Sequence, residues 1–209
     1  METAAITSFL FMGLALGLIH AFDPDHLAAV SGLSAGDVNT SERAPSLLGN
    51  FRFAIQWSVG HGSALLIIAL FVFVAGSAIP AELSAFAEHS VAFMLIAIGL
   101  LAFWRLKTNR EHLASGVSAP IVGLIHGTAG SAPLLALIPV SQITQPAVGI
   151  VYVLFFSAGV VLAMAGFGGV IAHSMRMVKR SYHALHAVLQ GFMAAFSLLL
   201  GLYLAFSSL

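Results

Sequence analysis

No cysteine occurs in the chain, and charged residues are scarce. The first absence excludes disulfides and thiolate ligands. A metal site here must use imidazole nitrogen and carboxylate or backbone oxygen. The second absence excludes an ordinary soluble domain. Asp, Glu, Lys and Arg make up 8% of the 209 residues, against about a quarter in a typical soluble domain. Hydrophobic residues reach 59% and mean hydropathy is +1.01, which predicts an all-α integral membrane protein. Net formal charge is zero, so there is no electrostatic ground for a nucleic-acid partner. No nucleotide-binding motif is present, so transport driven by this chain's own ATP hydrolysis is not expected. Met1-Glu2-Thr3-Ala4-Ala5 lacks the basic start of a signal peptide, and the first apolar run is expected to be retained as a helix.

Histidine is abundant by contrast. Nine occur, one more than all Lys and Arg together. They are most closely spaced in His20-Ala21-Phe22-Asp23-Pro24-Asp25-His26, where four ionisable groups flank a proline at the end of an apolar run. Ionisable groups at membrane depth are costly and mark functional sites by default.

Six segments are apolar enough to span a bilayer, roughly 4–22, 51–78, 89–106, 117–140, 147–173 and 184–206. Pro24 to Leu33 reads as a short half-buried helix and 34–50 as a polar loop. Lys107–Ser115 and Ser174–Arg180 read as basic loops. The fourth span is interrupted by Gly127, Gly130 and Pro133. With six spans, the connections 1–2, 3–4 and 5–6 share one side. They and their flanks hold Arg43, Arg52, Arg105, Lys107, Arg110, Arg176, Lys179 and Arg180, which are all the basic residues. The other side holds Glu2, Glu82 and Glu88. The positive-inside rule then predicts a multi-pass plasma (inner) membrane protein with both termini outside the cytoplasm.

The halves repeat. Gly17-Leu18-Ile19-His20 recurs as Gly123-Leu124-Ile125-His126, Trp57-Ser58-Val59-Gly60 aligns with Phe156-Ser157-Ala158-Gly159, and Ile98-Gly99-Leu100 with Leu200-Gly201-Leu202. The expectation is a single transmembrane domain over 1–209, with repeat one at about 4–106 and repeat two at about 117–206. Three spans per half is an odd number, so the halves run oppositely through the membrane. Inverted repeats of this kind are a transporter signature, with sites where discontinuous helices meet.

Pro24 cannot continue the first helix but is suited to begin another. Asp23 then falls at the N-cap, with direct metal ligation a secondary role. Across such a break His20, Asp25 and His26 converge as ligands, although they share no face on one continuous helix. Two imidazoles and a carboxylate suit nickel, cobalt, zinc or iron(II) rather than magnesium or calcium, with manganese a further candidate. His61, between Gly60 and Gly62, has two readings: a fourth ligand, or a core histidine bonded to Ser or a carbonyl. His126 is the repeat mate of His20 but has no aspartate beside it, and reads either as a ligand or as part of a gate. His183 and His186 read as interfacial in preference to a relay. His89 and His173 read as interfacial, His112 falls in a basic loop, and Phe71 and Phe73 read as lipid-facing.

The element His20-x4-Asp25-His26 resembles the His-x4-Asp-His signature of the nickel/cobalt transporter (NiCoT) family, and Gly60-His61-Gly62-Ser63 is similar to that family's Gly-His-Ser element. Gly62 interrupts the second signature, and the chain is shorter than typical members. It resembles the short relatives described as urease-accessory or nickel-permease-like proteins. The resemblance implies transport of nickel or cobalt, with His20, Asp25, His26 and His61 at the motif positions. The expected function is gradient-driven alternating access, not an enzyme activity. Partners would be the metal ion, the lipid bilayer and either a second copy or a downstream metallochaperone. The alternative is an intramembrane metal-dependent hydrolase, in which three ligands and a water form a catalytic site assisted by Ser63 or Asp23.

Overall fold

A computed structural model of the chain describes residues 2–37, 47–75, 81–108, 119–128 and 145–207. All the regular structure in them is helical. The order is α1 (Glu2–His20), α2 (Pro24–Asp37), α3 (Leu47–Ala75), α4 (Ala81–Thr108), α5 (Ala119–Thr128), α6 (Pro146–Ser181) and α7 (His183–Ser207). Four of them, α3, α4, α6 and α7, are long and apolar enough to cross a membrane. The α1–α2 pair, bent by 54°, makes a fifth if taken as one broken span. Six spans were expected. Of the fourth, 117–140, the described part is the ten-residue helix Ala119–Thr128, and its remainder from 129 lies outside the described residues, as do most of the 34–50 and 107–115 loops.

The break after α1 has a local cause. Pro24 has no N–H, so the last turn tightens into three-residue bonds, from Phe22 N–H to Ile19 O and from Asp23 N–H to His20 O. Asp23 O then accepts from Leu27 N–H, the first bond of α2. Asp23 thus takes the N-cap position expected of it and Pro24 the first helical one.

The second expected basic loop, Ser174–Arg180, is instead the last turns of α6, which runs unbroken from Pro146 to Ser181. The stretch contains neither glycine nor proline. Lys179 and Arg180 in the last turn complement the negative end of the helix dipole. The chain turns only at Tyr182, whose N–H donates to Val178 O.

Between membrane helices there is little hydrophobic drive, so close backbone contact through small residues matters. A Cβ on Gly17 would overlap the carbonyl oxygen of Phe156, and one on Gly123 the carbonyl oxygen of Trp57. Gly13 meets the ring of Tyr152, and Gly127 the carbonyl of His61. Residue numbers rise together along both contacts, so α1 runs parallel to α6 and α5 parallel to α3. Gly99 packs on Leu198 and Gly201 on Ile96, which makes α4 and α7 antiparallel. Ser197, fully buried, donates to Leu95 O across this pair at 3.0 Å.

One apolar cluster joins Ala21, Trp57, Leu65, Val122, Tyr152, Phe156 and Val160. A second holds α2 against α4 through Ala28, Ala29, Val91 and Leu95. Phe11, Phe71, Phe86, Phe93, Phe192 and Phe206 point outward and are exposed, which suits contact with lipid.

A candidate metal centre at the broken helix

The break carries His20 on the last turn of α1 and His26 on the first turn of α2, and the 54° bend folds the two rings together. Their centroids are 4.6 Å apart. His61 enters from α3, with its ring 5.5 Å from His20 and 5.3 Å from His26. Ligand atoms of the three histidines all lie within 4.8 Å of one another, and all three side chains are buried.

Hydrogen bonding separates the two nitrogens of each ring. His20 Nδ1 lies 2.8 Å from Asp23 Oδ2, and His26 Nδ1 lies 3.2 Å from Asp25 Oδ1. A carboxylate on Nδ1 fixes the tautomer that leaves Nε2 as a lone-pair donor, the usual setting of a metal-bound histidine. His26 Nε2 and both nitrogens of His61 are buried with no hydrogen-bond partner among the described residues. Buried polar atoms are ordinarily satisfied. Of the two readings of His61, bonding to a serine or a carbonyl is thus not what the geometry displays. Ser63, the neighbour in the hydrolase alternative, donates instead to Val59 O of its own helix at 2.6 Å.

Of the four residues read as the main ligands, His20, His26 and His61 share one group of donor atoms, whereas Asp25 groups with Asp23 and His26. His126 comes to the same place but is engaged differently. Its ring is 5.2 Å from His26. Its Nδ1 faces Val122 O and its Nε2 faces Asp25 O, each at 3.3 Å. A neutral imidazole has one N–H, so it donates to one of these carbonyls at a time.

Sequence reasoning treated Trp57 and Phe156 only as repeat mates and missed that they wall the site. Trp57 stacks on His61 at 5.2 Å with 13° between the planes, stands edge-on to His26 at 5.1 Å and lies 5.7 Å from His126. Phe156 lies 5.5 Å from His20. The spacing of Trp57 and His61, four residues apart on one helical face, was the available signal.

The outlying histidines do not join this cluster. His89 faces Ala85 O of its own helix at 2.7 Å. His173 and His183 are exposed. His186, read as interfacial, is buried on the face of α7 that also carries Gln190, Ala194, Ser197 and Gly201. His112 lies outside the described residues.

The chain is 32% identical to the urease accessory protein UreH of Bacillus sp. (strain TB-90), over 91% of this chain and 87% of that protein. No family model matches the chain, and no solved structure matches it.

Proposed function

The chain belongs to the family of the urease accessory protein UreH, and from that premise we propose that it carries a divalent transition-metal cation across a membrane. The observation that carries this reading is the group of three buried imidazoles from three helices, His20, His26 and His61, with His26 Nε2 and both His61 nitrogens lacking hydrogen-bond partners among the described residues. Such donors suit nickel or cobalt, and also zinc or iron(II), better than a hard cation. The resemblance to nickel/cobalt transporters and the urease-accessory name of the relative both favour nickel, with cobalt as its chemical neighbour. That relative is not named as an enzyme, and the hydrolase alternative gains no support.

In this reading His20, His26 and His61 hold the ion. Asp23 and Asp25 orient the first two rings through their Nδ1 atoms and offset the charge. Nitrogens sharing one ion, each about 2.1 Å from it, lie at most about 4.2 Å apart, close to the 4.8 Å within which these donor atoms all fall. Trp57 and Phe156 keep water from the bound ion. His126 braces the first turn of α2 from the other half of the chain. Protons compete with metal for the same lone pairs, which offers a route to release.

Transport would follow alternating access of two inverted halves. Three features support it. The first helix of each half, α1 or α5, packs in parallel on the second span of the other half. The third spans, α4 and α7, pack on one another in antiparallel fashion. The glycine contacts are reciprocal: Gly17 meets Phe156 and Gly123 meets Trp57, positions that the repeat makes equivalent. The segregation of all basic residues to one set of connections supports both termini lying outside the cytoplasm.

The test is uptake of nickel or cobalt into liposomes holding the purified chain. Transport should require a functional site and be lost in His20→Ala and His61→Ala proteins that still fold. Unchanged transport in either variant would sink the assignment.

A further inference from the structure

Serine hydroxyls inside helices commonly bond to a carbonyl one turn back in their own helix. Ser63 and Ser90 do so, to Val59 O and Phe86 O, and Ser197 reaches across to Leu95 O instead. Two other serines do neither. Ser58 Oγ and Ser157 Oγ are buried with no hydrogen-bond partner among the described residues. They are repeat mates, each following the aromatic wall residue of its half, Trp57 or Phe156. Ser58 is 2% exposed. On α3, Ser58, His61, Gly62 and Leu65 fall on one helical face. Ser157 of α6 meets that face, since a Cβ on Gly62 would stand 3.0 Å from Ser157 Oγ. The surrounding cluster is apolar, with Leu65, Val153, Val160 and Met164. Polar atoms without partners among the described residues thus follow one another along the α3–α6 seam: Ser58 Oγ, both nitrogens of His61, and Ser157 Oγ. Such atoms are costly in an apolar seam unless something polar reaches them.

We infer that Ser58 and Ser157 line the route of the ion, one on each side of His61, and accept hydrogen bonds from water that the cation still carries. The inference rests on the transport reading above and adds to it the path by which the site is reached and left. α3 and α6 are the second spans of the inverted halves and run oppositely. Ser58 precedes His61 on α3, toward the cytoplasm in the proposed orientation. Its mate Ser157 lies level with Gly62, on the outer side. Four residues of helical rise put the two hydroxyls about 6 Å apart along the seam. A divalent cation that loses all its water in one step meets a high barrier. A hydroxyl has one donor and two acceptor lone pairs, so it holds a metal-bound water on the way in and returns one on the way out. Glycine at 62 leaves Ser157 Oγ uncovered for this.

The experiment uses the lack of cysteine in the chain. Ser58→Cys and Ser157→Cys each place a single thiol where the hydroxyl stood, with little change in volume. The probe is a trimethylammonium methanethiosulfonate, a fixed cation that does not cross lipid, added to one face at a time of sealed vesicles holding the full chain. A thiol reached by water ionises to the reactive thiolate, and one in lipid does not. Ser157→Cys should react from the outer face and Ser58→Cys from the cytoplasmic face, both faster than a cysteine at the exposed apolar position Leu70, and Co²⁺ should slow both. Reaction above that control at neither position, at one alone, or at both from the same face would overturn the path. A second arm reads Co²⁺ uptake and equilibrium binding in Ser58→Ala and Ser157→Ala. Each should lower the saturating uptake rate by about threefold to tenfold, the worth of one hydrogen bond lost in passage, with affinity for Co²⁺ unchanged. An unchanged rate in either, or a rate that falls only in step with affinity, would also overturn it. Absence of Co²⁺ uptake by the unsubstituted chain would remove the transport reading itself, which distinguishes the two claims.

Discussion

His20 and His126 close the same turn of equivalent helices in the two halves, and both are buried. Around each, the backbone packs alike: Gly17 presses on Phe156, Gly123 on Trp57. Their partners differ. His20 has a carboxylate on Nδ1, whereas His126 faces a backbone carbonyl from each nitrogen. The first half has Asp23-Pro24-Asp25-His26 after the histidine, the second Gly127-Thr128. The comparison teaches that two sequence-matched helices pack alike on their neighbours and still surround their histidines with different partners. Equivalent backbone does not make equivalent chemistry.

The largest effect should come from breaking the shared scaffold. Gly17→Leu and Gly123→Leu each force a side chain into a backbone carbonyl that cannot yield as a flexible side chain would. Overpacking costs about 1–3 kcal/mol in a forgiving core and more where backbone must move. Both variants should lose the folded state, read as loss of monodisperse protein and of a cooperative thermal transition. If Gly17→Leu is tolerated and Gly123→Leu is not, the halves are not packed equivalently and the comparison breaks.

The next effect tests the chemical difference. His20→Ala removes a proposed ligand, and Ni²⁺ or Co²⁺ affinity by titration should fall by more than the roughly 10–100-fold expected for loss of an outer partner. His126→Ala should stay inside that range, because His126 acts through the α2 backbone at Asp25 O. Equal losses would make His126 a ligand in its own right.

Much of this was legible in the sequence for physical reasons. Pro24 stops one helix and starts another wherever it stands, so the break could be placed to the residue. Charge is so rare here that each ionisable group at depth marks itself. What escaped was tertiary. The extension of α6 through Ser174–Arg180 depends on a helix continuing out of the membrane, and a basic segment looks the same whether coiled or helical. The burial of His186 follows from the face α7 turns to its neighbours. The orientation of rings by Asp23 and Asp25 also needs coordinates, since spacing brings carboxylates and imidazoles near without deciding which nitrogen meets which oxygen.

A smaller effect lies where the third spans meet. Ser197 on α7 donates to Leu95 O on α4. The repeat that pairs Gly99 with Gly201 also pairs Leu95 with Ser197, so one hydroxyl reaches the carbonyl of its own mate and leucine returns nothing. Hydrogen bonds between membrane helices average about 0.6 kcal/mol. Ser197→Ala should lower stability by about that much in a reversible unfolding assay, with metal affinity unchanged. A drop in affinity would mean that the α4–α7 contact is coupled to the site.

The smallest effect concerns the aromatic walls, where the halves differ by one N–H. Trp57 and Phe156 are repeat mates, both fully buried, and the indole Nε1 of Trp57 has no hydrogen-bond partner among the described residues. Trp57→Phe makes the two walls alike. It leaves a small void, which costs about 1 kcal/mol or more, and it removes an unsatisfied buried donor, which returns a similar amount. The melting temperature should therefore scarcely change. Metal affinity should also hold, because a phenyl ring can still cover His61. Titration by calorimetry is the measurement. A clear loss of affinity would show instead that the indole N–H takes part in binding, through a water on the ion, and the two walls would then differ in chemistry as His20 and His126 do.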